Sequence, residues 1–296
     1  MIQFKTKKMK DGIHENLSIV DYHNNNTHYS STQIKRVKGS LSEFIYYENL
    51  KQERKTHFDF GNAFETALLE PDLFDDKVVI FDADKRPEPK KNFGSTLNKE
   101  YKKRIYDTDK YVIEQKGKES FETIEYMLES CYKDSVIQSI IKDVGFQTSL
   151  FWTDKVTGLK LKTRPDIIRK NKNVIIDVKT ILNGSPQGFS KQLGNLSYPM
   201  QACLQMRGVV ETGLKERIDN YFWLVVEKNP PFNATLYEFD KEDWEFCFDE
   251  LDYNISRLSR GLKENKFIGY TEFANNDSGV LKAQIPLWYR NSNINQ

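Results

Sequence analysis

One run constrains this chain more than any other: Lys162-Thr-Arg-Pro-Asp166-Ile-Ile-Arg-Lys-Asn-Lys-Asn-Val-Ile-Ile-Asp177-Val-Lys179-Thr180. An acidic residue closes one segment, a polar turn follows, and the apolar strand Val174-Ile-Ile176 runs straight into Asp177 and Lys179. Residues two apart in a strand leave from the same face, so Asp177 and Lys179 project together. A hairpin through Arg169–Asn173 brings Asp166 beside them. A carboxylate at the end of a buried-type strand is costly without a partner, and a metal ion is one such partner.

The residue types fit a definite chemistry. Mg²⁺ prefers oxygen ligands and takes one or two carboxylates, waters and substrate phosphate oxygens. A bound cation lowers the pKa of its water and polarises a phosphoryl oxygen. A lysine beside that water orients it, stabilises hydroxide or offsets phosphorane charge. Carboxylates and metal favour a protonated Lys179, desolvation opposes it, and its role stays open at this point. The string is also short: many solvated hairpins carry Asp-x-Lys as a surface charge pair.

The 296 residues are 38% hydrophobic and 29% charged, enough apolar material for a sizeable core. A net charge of +1 means that any nucleic-acid surface is local. The start lacks an apolar h-region and no stretch is long enough to span a bilayer, so a cytoplasmic protein without membrane attachment is expected. Cys131, Cys203 and Cys247 are far apart with no C-x-x-C, which argues against a disulfide scaffold, a zinc site or an iron–sulfur cluster.

Residues 1–27 read as a polar, extended or mobile entry segment, followed by a single domain over 28–296. His23 and His28 have no supporting metal ligands nearby. Ser31 or Thr32 is placed to cap a helix through Ile34 and Val37, and Ser40 or Ser42 to open the next. Ala63, Phe64, Ala67 and Leu68 form a helical stripe that Pro71 stops, with Glu65 next to the stripe. Residues 82–104 read as a charged loop and Tyr111–Ile141 as two helices. Phe146–Trp152 and Leu159–Arg164 form a hairpin, whose sheet continues through the strands bearing Asp166 and Asp177. A helix over Pro199–Thr212 carries Gln201, Gln205 and Arg207. Asn220–Glu227 is a core strand, Ala234–Phe239 its return, and Asp240–Gly261 a long amphipathic helix. The tail segment Ile285–Arg290 reads as packed or subunit-contacting. Helices, a hairpin-rich mixed sheet, then helix and strand give an α/β class: one central mixed sheet flanked by helices.

Lys162-Thr-Arg-Pro-Asp166 followed by Ile176-Asp177-Val-Lys179-Thr180 resembles the nuclease core of the PD-(D/E)xK superfamily. Three further segments are similar to RecE-type exonucleases: Phe60-Gly61-Asn-Ala-Phe64-Glu65-Thr-Ala-Leu-Leu-Glu70-Pro71, Tyr198-Pro-Met-Gln201-Ala-Cys, and His28-Tyr-Ser-Ser-Thr-Gln-Ile-Lys35. Their order and spacing match over roughly residues 28–290. The resemblance implies an enzyme that degrades linear double-stranded DNA from the 5′ end with Mg²⁺, Mn²⁺ substituting. It implies a homo-oligomeric ring and phage-type recombination, in which a single-strand annealing protein takes the 3′ strand. By the same match Asp166 and Asp177 bind metal, the Val178 carbonyl adds a ligand, Lys179 assists the water, and Gln201 supports the site near the scissile phosphate. Glu65 stands where the family usually has His, and an acidic residue there favours Mg²⁺ or Mn²⁺ over softer ions. Gln205 stands where the family often has Tyr.

Phosphate contacts need local positive charge. Lys160, Lys162 and Arg164 alternate toward one face, Arg169, Lys170 and Lys172 lie in the following turn, and Lys35 and Arg36 are candidates to hold a 5′ end. The alternatives are a catalytically inactive DNA-end-binding scaffold and a structure-specific endonuclease of the same fold.

Overall fold

The computed structural model describes residues 9–50, 57–141, 148–274 and 276–292. In chain order the strands are β1 (Gly12–His14), β2 (Val78–Phe81), β3 (Tyr111–Glu114), β4 (Ser149–Thr153), β5 (Lys160–Thr163), β6 (Ile167–Ile168), β7 (Val174–Ile181), β8 (Asn220–Glu227) and β9 (Ala234–Glu238). The helices are α1 (Ile19–Asn24), α2 (Ser31–Gly39), α3 (Leu41–Asn49), α4 (His57–Leu69), α5 (Phe74–Lys77), α6 (Thr96–Tyr106), α7 (Phe121–Lys133), α8 (Ser135–Ile141), α9 (Pro186–Asn195), α10 (Tyr198–Glu211), α11 (Trp244–Glu264) and α12 (Leu287–Ser292).

The centre is a mixed sheet in the order β6-β7-β8-β9. β6 runs antiparallel to β7 with Ile167 opposite Ile176, and β7 runs parallel to β8 with Asp177 opposite Trp223. A parallel pair needs a crossover, and α9 and α10 supply it. Alternation makes β7 a wall between two cores. Ile175 and Ile181 pack with residues of α2, α3, α10 and α11, while Ile176 and Val178 pack with residues of α4, α7 and α8. Asp177 and Lys179 share the parity of Ile175 and Ile181, so they leave the sheet on the α10 side. Helix α10 lies close over the hairpin because Gly208 has no side chain: a Cβ there would sit 2.7 Å from a Thr163 methyl and 2.8 Å from the Trp152 ring.

Several local expectations shift. The first α2 cap is Ser30, in a capping box with Gln33, rather than Ser31 or Thr32, while Ser40 does cap α3 through the Glu43 N–H. The hairpin β4–β5 forms, but it pairs with β1 and does not continue the central sheet. Pro165 stands between β5 and β6, and a residue without an N–H cannot carry the ladder onward. The expected beginning of that hairpin at Phe146 lies outside the described residues. Tyr111–Glu114 is a strand parallel to β2, not helix, and its Val112 N–H is held by Asp59 at 3.1 Å. The charged stretch 82–104 is helical from Thr96. The one residue of α6 that is fully sequestered is polar: Asn98 accepts from the Glu88 N–H and donates to the carbonyls of Glu88, Lys91 and Asn92. The apolar face beside it is short, Tyr101 and Tyr106 packing on Phe81. In the tail, Ile285, Leu287 and Tyr289 are exposed rather than packed.

From residue 9 onward the entry segment is built into the fold. Gly12–His14 adds a strand to β4, and His28 is buried with hydrogen bonds to Asp11 and Thr27. Lys162 holds this segment down. It is 4% exposed, and its ammonium donates to the carbonyls of Tyr22 at 2.7 Å and Asn25 at 2.6 Å. Burial pulls its pKa down to about 8. This corrects the expectation of a phosphate contact: Lys162 is a structural cation whose ammonium is turned onto entry-segment carbonyls. Lys162→Met should therefore cost about 1–3 kcal/mol in denaturant unfolding, the cost of stranding buried carbonyls. The folded fraction should bind duplex DNA with unchanged affinity, as measured by anisotropy.

Candidate active site

The constellation assembles around the one edge of β7 that β6 leaves open. Asp177 is completely buried. Its Oδ1 accepts from Gln201 Nε2 at 3.0 Å and from Gln205 Nε2 at 3.2 Å, both from α10. Its Oδ2 meets the Lys179 ammonium as an ion pair. Asp166 reaches across from the start of β6, and its Oδ2 accepts the Val178 N–H at 2.7 Å. In an extended strand the N–H and C=O of one residue leave on the same edge, so the Val178 carbonyl points toward Asp166 as well. The hairpin expected through Arg169–Asn173 thus brings Asp166, Asp177 and Lys179 together.

Glu65 joins this group from α4, on the other side of the sheet. Burial raises its pKa to about 7, with Lys179 and Arg164 opposing and Asp177 and Glu70 adding to the rise. Burial also pushes Asp166 well above the ordinary carboxylate range, helped by the charges of Glu65 and Asp177. Burial disfavours charge on Lys179, but Asp177 and Asp166 overrule it and hold its ammonium above the ordinary lysine range. Burial and neighbouring carboxylates thus push Glu65 and Asp166 toward the protonated state, and the Lys179 ammonium opposes the push.

The remaining expected residues divide. Lys35 reaches the site: its ammonium donates to Gln201 Oε1 at 3.3 Å and lies 5.4 Å above the Tyr198 ring, which also lies 5.0 Å from Lys179. Burial and the nearby Lys179 draw its pKa down to about 8. Arg36, its neighbour, points elsewhere, pairing with Glu48 at 3.2 Å over the Tyr47 ring. Arg164 is turned inward, donating to the Leu17 carbonyl at 2.8 Å and the Ser149 hydroxyl at 3.3 Å, and its charge acts on Glu65. Arg164, like Lys162, is therefore not displayed as the expected basic track, whereas Lys160, Lys170 and Lys172 are exposed.

Two residues were missed by sequence reasoning. Tyr198 sits one helical turn before Gln201 and so shares its face, a spacing that was readable. Tyr221 lies in an apolar strand and donates to Gln205 Oε1 at 2.7 Å. A buried tyrosine hydroxyl needs a partner, and that was its one signal.

The donor set fits a hard divalent cation. Every candidate ligand is an oxygen: Asp166, Asp177, Glu65 and the Val178 carbonyl. Among the described residues no three His, Cys, Asp or Glu side chains form a ready-made metal cage. Mg²⁺ does not require one, because waters and substrate phosphate oxygens fill most of its octahedron.

Comparison with known proteins bears on the fold. A crystal structure of an inferred exonuclease from Eubacterium rectale superposes with a TM-score of 0.59 at 12% identity, covering 95% of this chain and 100% of that one, which is a likeness of fold. A second solved structure, of SSO0001, covers 69% of this chain and 87% of its own at 15% identity and a TM-score of 0.30, too low to carry an argument. No curated protein matches. Among the described residues no helix is long and apolar enough to cross a membrane. A family model described as a PDDEXK-like domain of unknown function (DUF3799) matches residues 30–275, and the chain belongs to that family, whose fold is that of the PD-(D/E)xK nucleases.

Proposed function

We propose that the protein is a divalent-metal-dependent exodeoxyribonuclease that digests linear double-stranded DNA from its ends, 5′ to 3′. The observation that carries this reading is the convergence of Asp166, Asp177 and Lys179 on one sheet edge, with Asp177 buried and ion-paired. Family and fold support a nuclease. The end preference, the polarity and a role in recombination come from the RecE-like motifs. So do a ring-shaped homo-oligomer and an annealing partner for the 3′ strand.

Asp166, Asp177, Glu65 and the Val178 carbonyl would hold Mg²⁺, with Mn²⁺ substituting. When bound, the ion supplies charge neutralisation at the scissile phosphate and a more acidic water. Lys179 orients that water and shields the growing negative charge, its ammonium fixed by Asp177. Gln201 keeps Asp177 turned toward the phosphate. The Tyr198 ring gives the two ammonium groups an apolar floor.

A linear duplex labelled at either end, incubated with Mg²⁺ or EDTA beside a closed circle, tests the reading. Early, Mg²⁺-dependent release of the 5′ label with an intact circle is expected. Nicking of the circle indicates an endonuclease, and DNA binding without cleavage in Mg²⁺ or Mn²⁺ indicates an end-binding scaffold. Lys179→Met should lower kcat by roughly 10²–10³-fold, the range of a lost donor to developing negative charge, and Asp177→Ala should abolish digestion. Both proteins should keep the wild-type circular dichroism spectrum.

The carboxylates also predict a pH signature. Glu65 rises from 4.5 to about 7 on folding, so the native state holds its proton more tightly than the unfolded chain. The stabilisation from this one group is fully present below about pH 4.5 and is lost as pH rises through about 7. Tm without metal should fall between pH 5 and 8. Mg²⁺ should raise Tm far more at pH 8 than at pH 5, and Glu65→Gln should flatten the metal-free profile.

A further inference from the structure

Two glutamines one helical turn apart on α10 approach the same carboxylate oxygen, Asp177 Oδ1. A carboxylate only accepts, so each amide must present its NH₂ group and turn its carbonyl oxygen away. Each turned oxygen meets a donor. For Gln201 it is the Lys35 ammonium, which cannot accept, so this amide is fixed from both ends. For Gln205 it is the hydroxyl of Tyr221, a fully buried residue. Lys35 is itself confined, its ammonium facing the Tyr198 ring. Oδ1 of Asp177 is thereby committed to two locked amides, and Oδ2 is left to Lys179.

We propose that Lys35 and Tyr221 are positioning residues, acting through Gln201 and Gln205 to hold the Asp177 carboxylate in one orientation with Oδ2 aimed at Lys179 and the reacting centre. The terminal torsion of an aspartate is soft and two-fold, so it needs such a clamp. Without Lys35, the Gln201 oxygen is left without its donor and the amide is free to swing off Oδ1. The kinetic consequence rests on the nuclease reading above; the structural one does not. Lys35 in this role does not contact a DNA 5′ end.

The test uses Lys35→Met, Lys35→Arg, Gln201→Leu, Tyr221→Phe and Gln205→Leu, with the doubles Lys35→Met/Gln201→Leu and Tyr221→Phe/Gln205→Leu. Side-chain amide hydrogen exchange, followed by NMR on the full chain without metal or DNA, is read first. Lys35→Met should speed exchange at Gln201 at least tenfold and leave Gln205 alone. Tyr221→Phe should do the reverse, and Lys35→Arg should keep Gln201 slow. On linear duplex, Lys35→Met should lower kcat about 10²-fold, the effect of small misplacement, with KM unchanged. Each double should be no slower than its glutamine single, because residues acting through one another are not additive. Unchanged amide exchange, additive losses in the doubles, or a KM increase confined to 5′-phosphorylated ends would each overturn the proposal. A wild-type protein that cuts no DNA removes the nuclease reading, while the exchange data still decide the clamp.

Discussion

A carboxylate with no exposure to water governs this molecule. Asp177 sits in the middle of a strand buried on both faces, where an isolated charge is not tolerated. Its partners come from separate places in the chain: Lys179 from its own strand, and Gln201 and Gln205 from the crossover helix. The crossover is needed anyway, because β7 and β8 are parallel. One topological requirement thus delivers both the helix and the donors that make the buried charge affordable.

The charge pattern of the site follows from its place between two cores. Asp177 and Lys179 leave β7 toward α10, whereas Glu65 arrives on a helix of the opposite core. These groups meet only where β6 stops short and the edge of β7 opens. There burial and mutual repulsion both push Asp166 and Glu65 toward the protonated state. The site is therefore held in an unfavourable electrostatic state by the packing around it, which is the condition in which an added cation stabilises most.

Much of this was legible in the residues. The apolar run Val174-Ile-Ile176 entering Asp177 marks a buried strand, period two puts Lys179 on the same face, and the polar turn sends Asp166 back beside them. The helical stripe of α4 and its stop at Pro71 were equally clear. What failed did so for physical reasons. Tyr111–Glu114 is short and apolar, and a short apolar run does not distinguish strand from helix. Helix α6 buries Asn98 where a pattern search expects an apolar residue. Lys162 and Arg164 alternate like a phosphate track, but alternation fixes only a face. Whether that face meets water or the entry segment is decided by contacts with Tyr22, Asn25 and Leu17, far away in sequence.

The separation of the parts along the chain has a consequence for synthesis. The hydrogen bond from Lys35 to Gln201 closes a loop of 166 residues, and Tyr221, which backs Gln205, comes later still. Chains emerge from the ribosome N-terminus first, and structure forms in the order in which partners become available. A nascent chain holding Asp166 and Lys179 has the acidic pair and the lysine but neither the helix nor the strand that orients them. The full set of groups that orient the Asp177 carboxylate is therefore complete only once β8 has been made and docked.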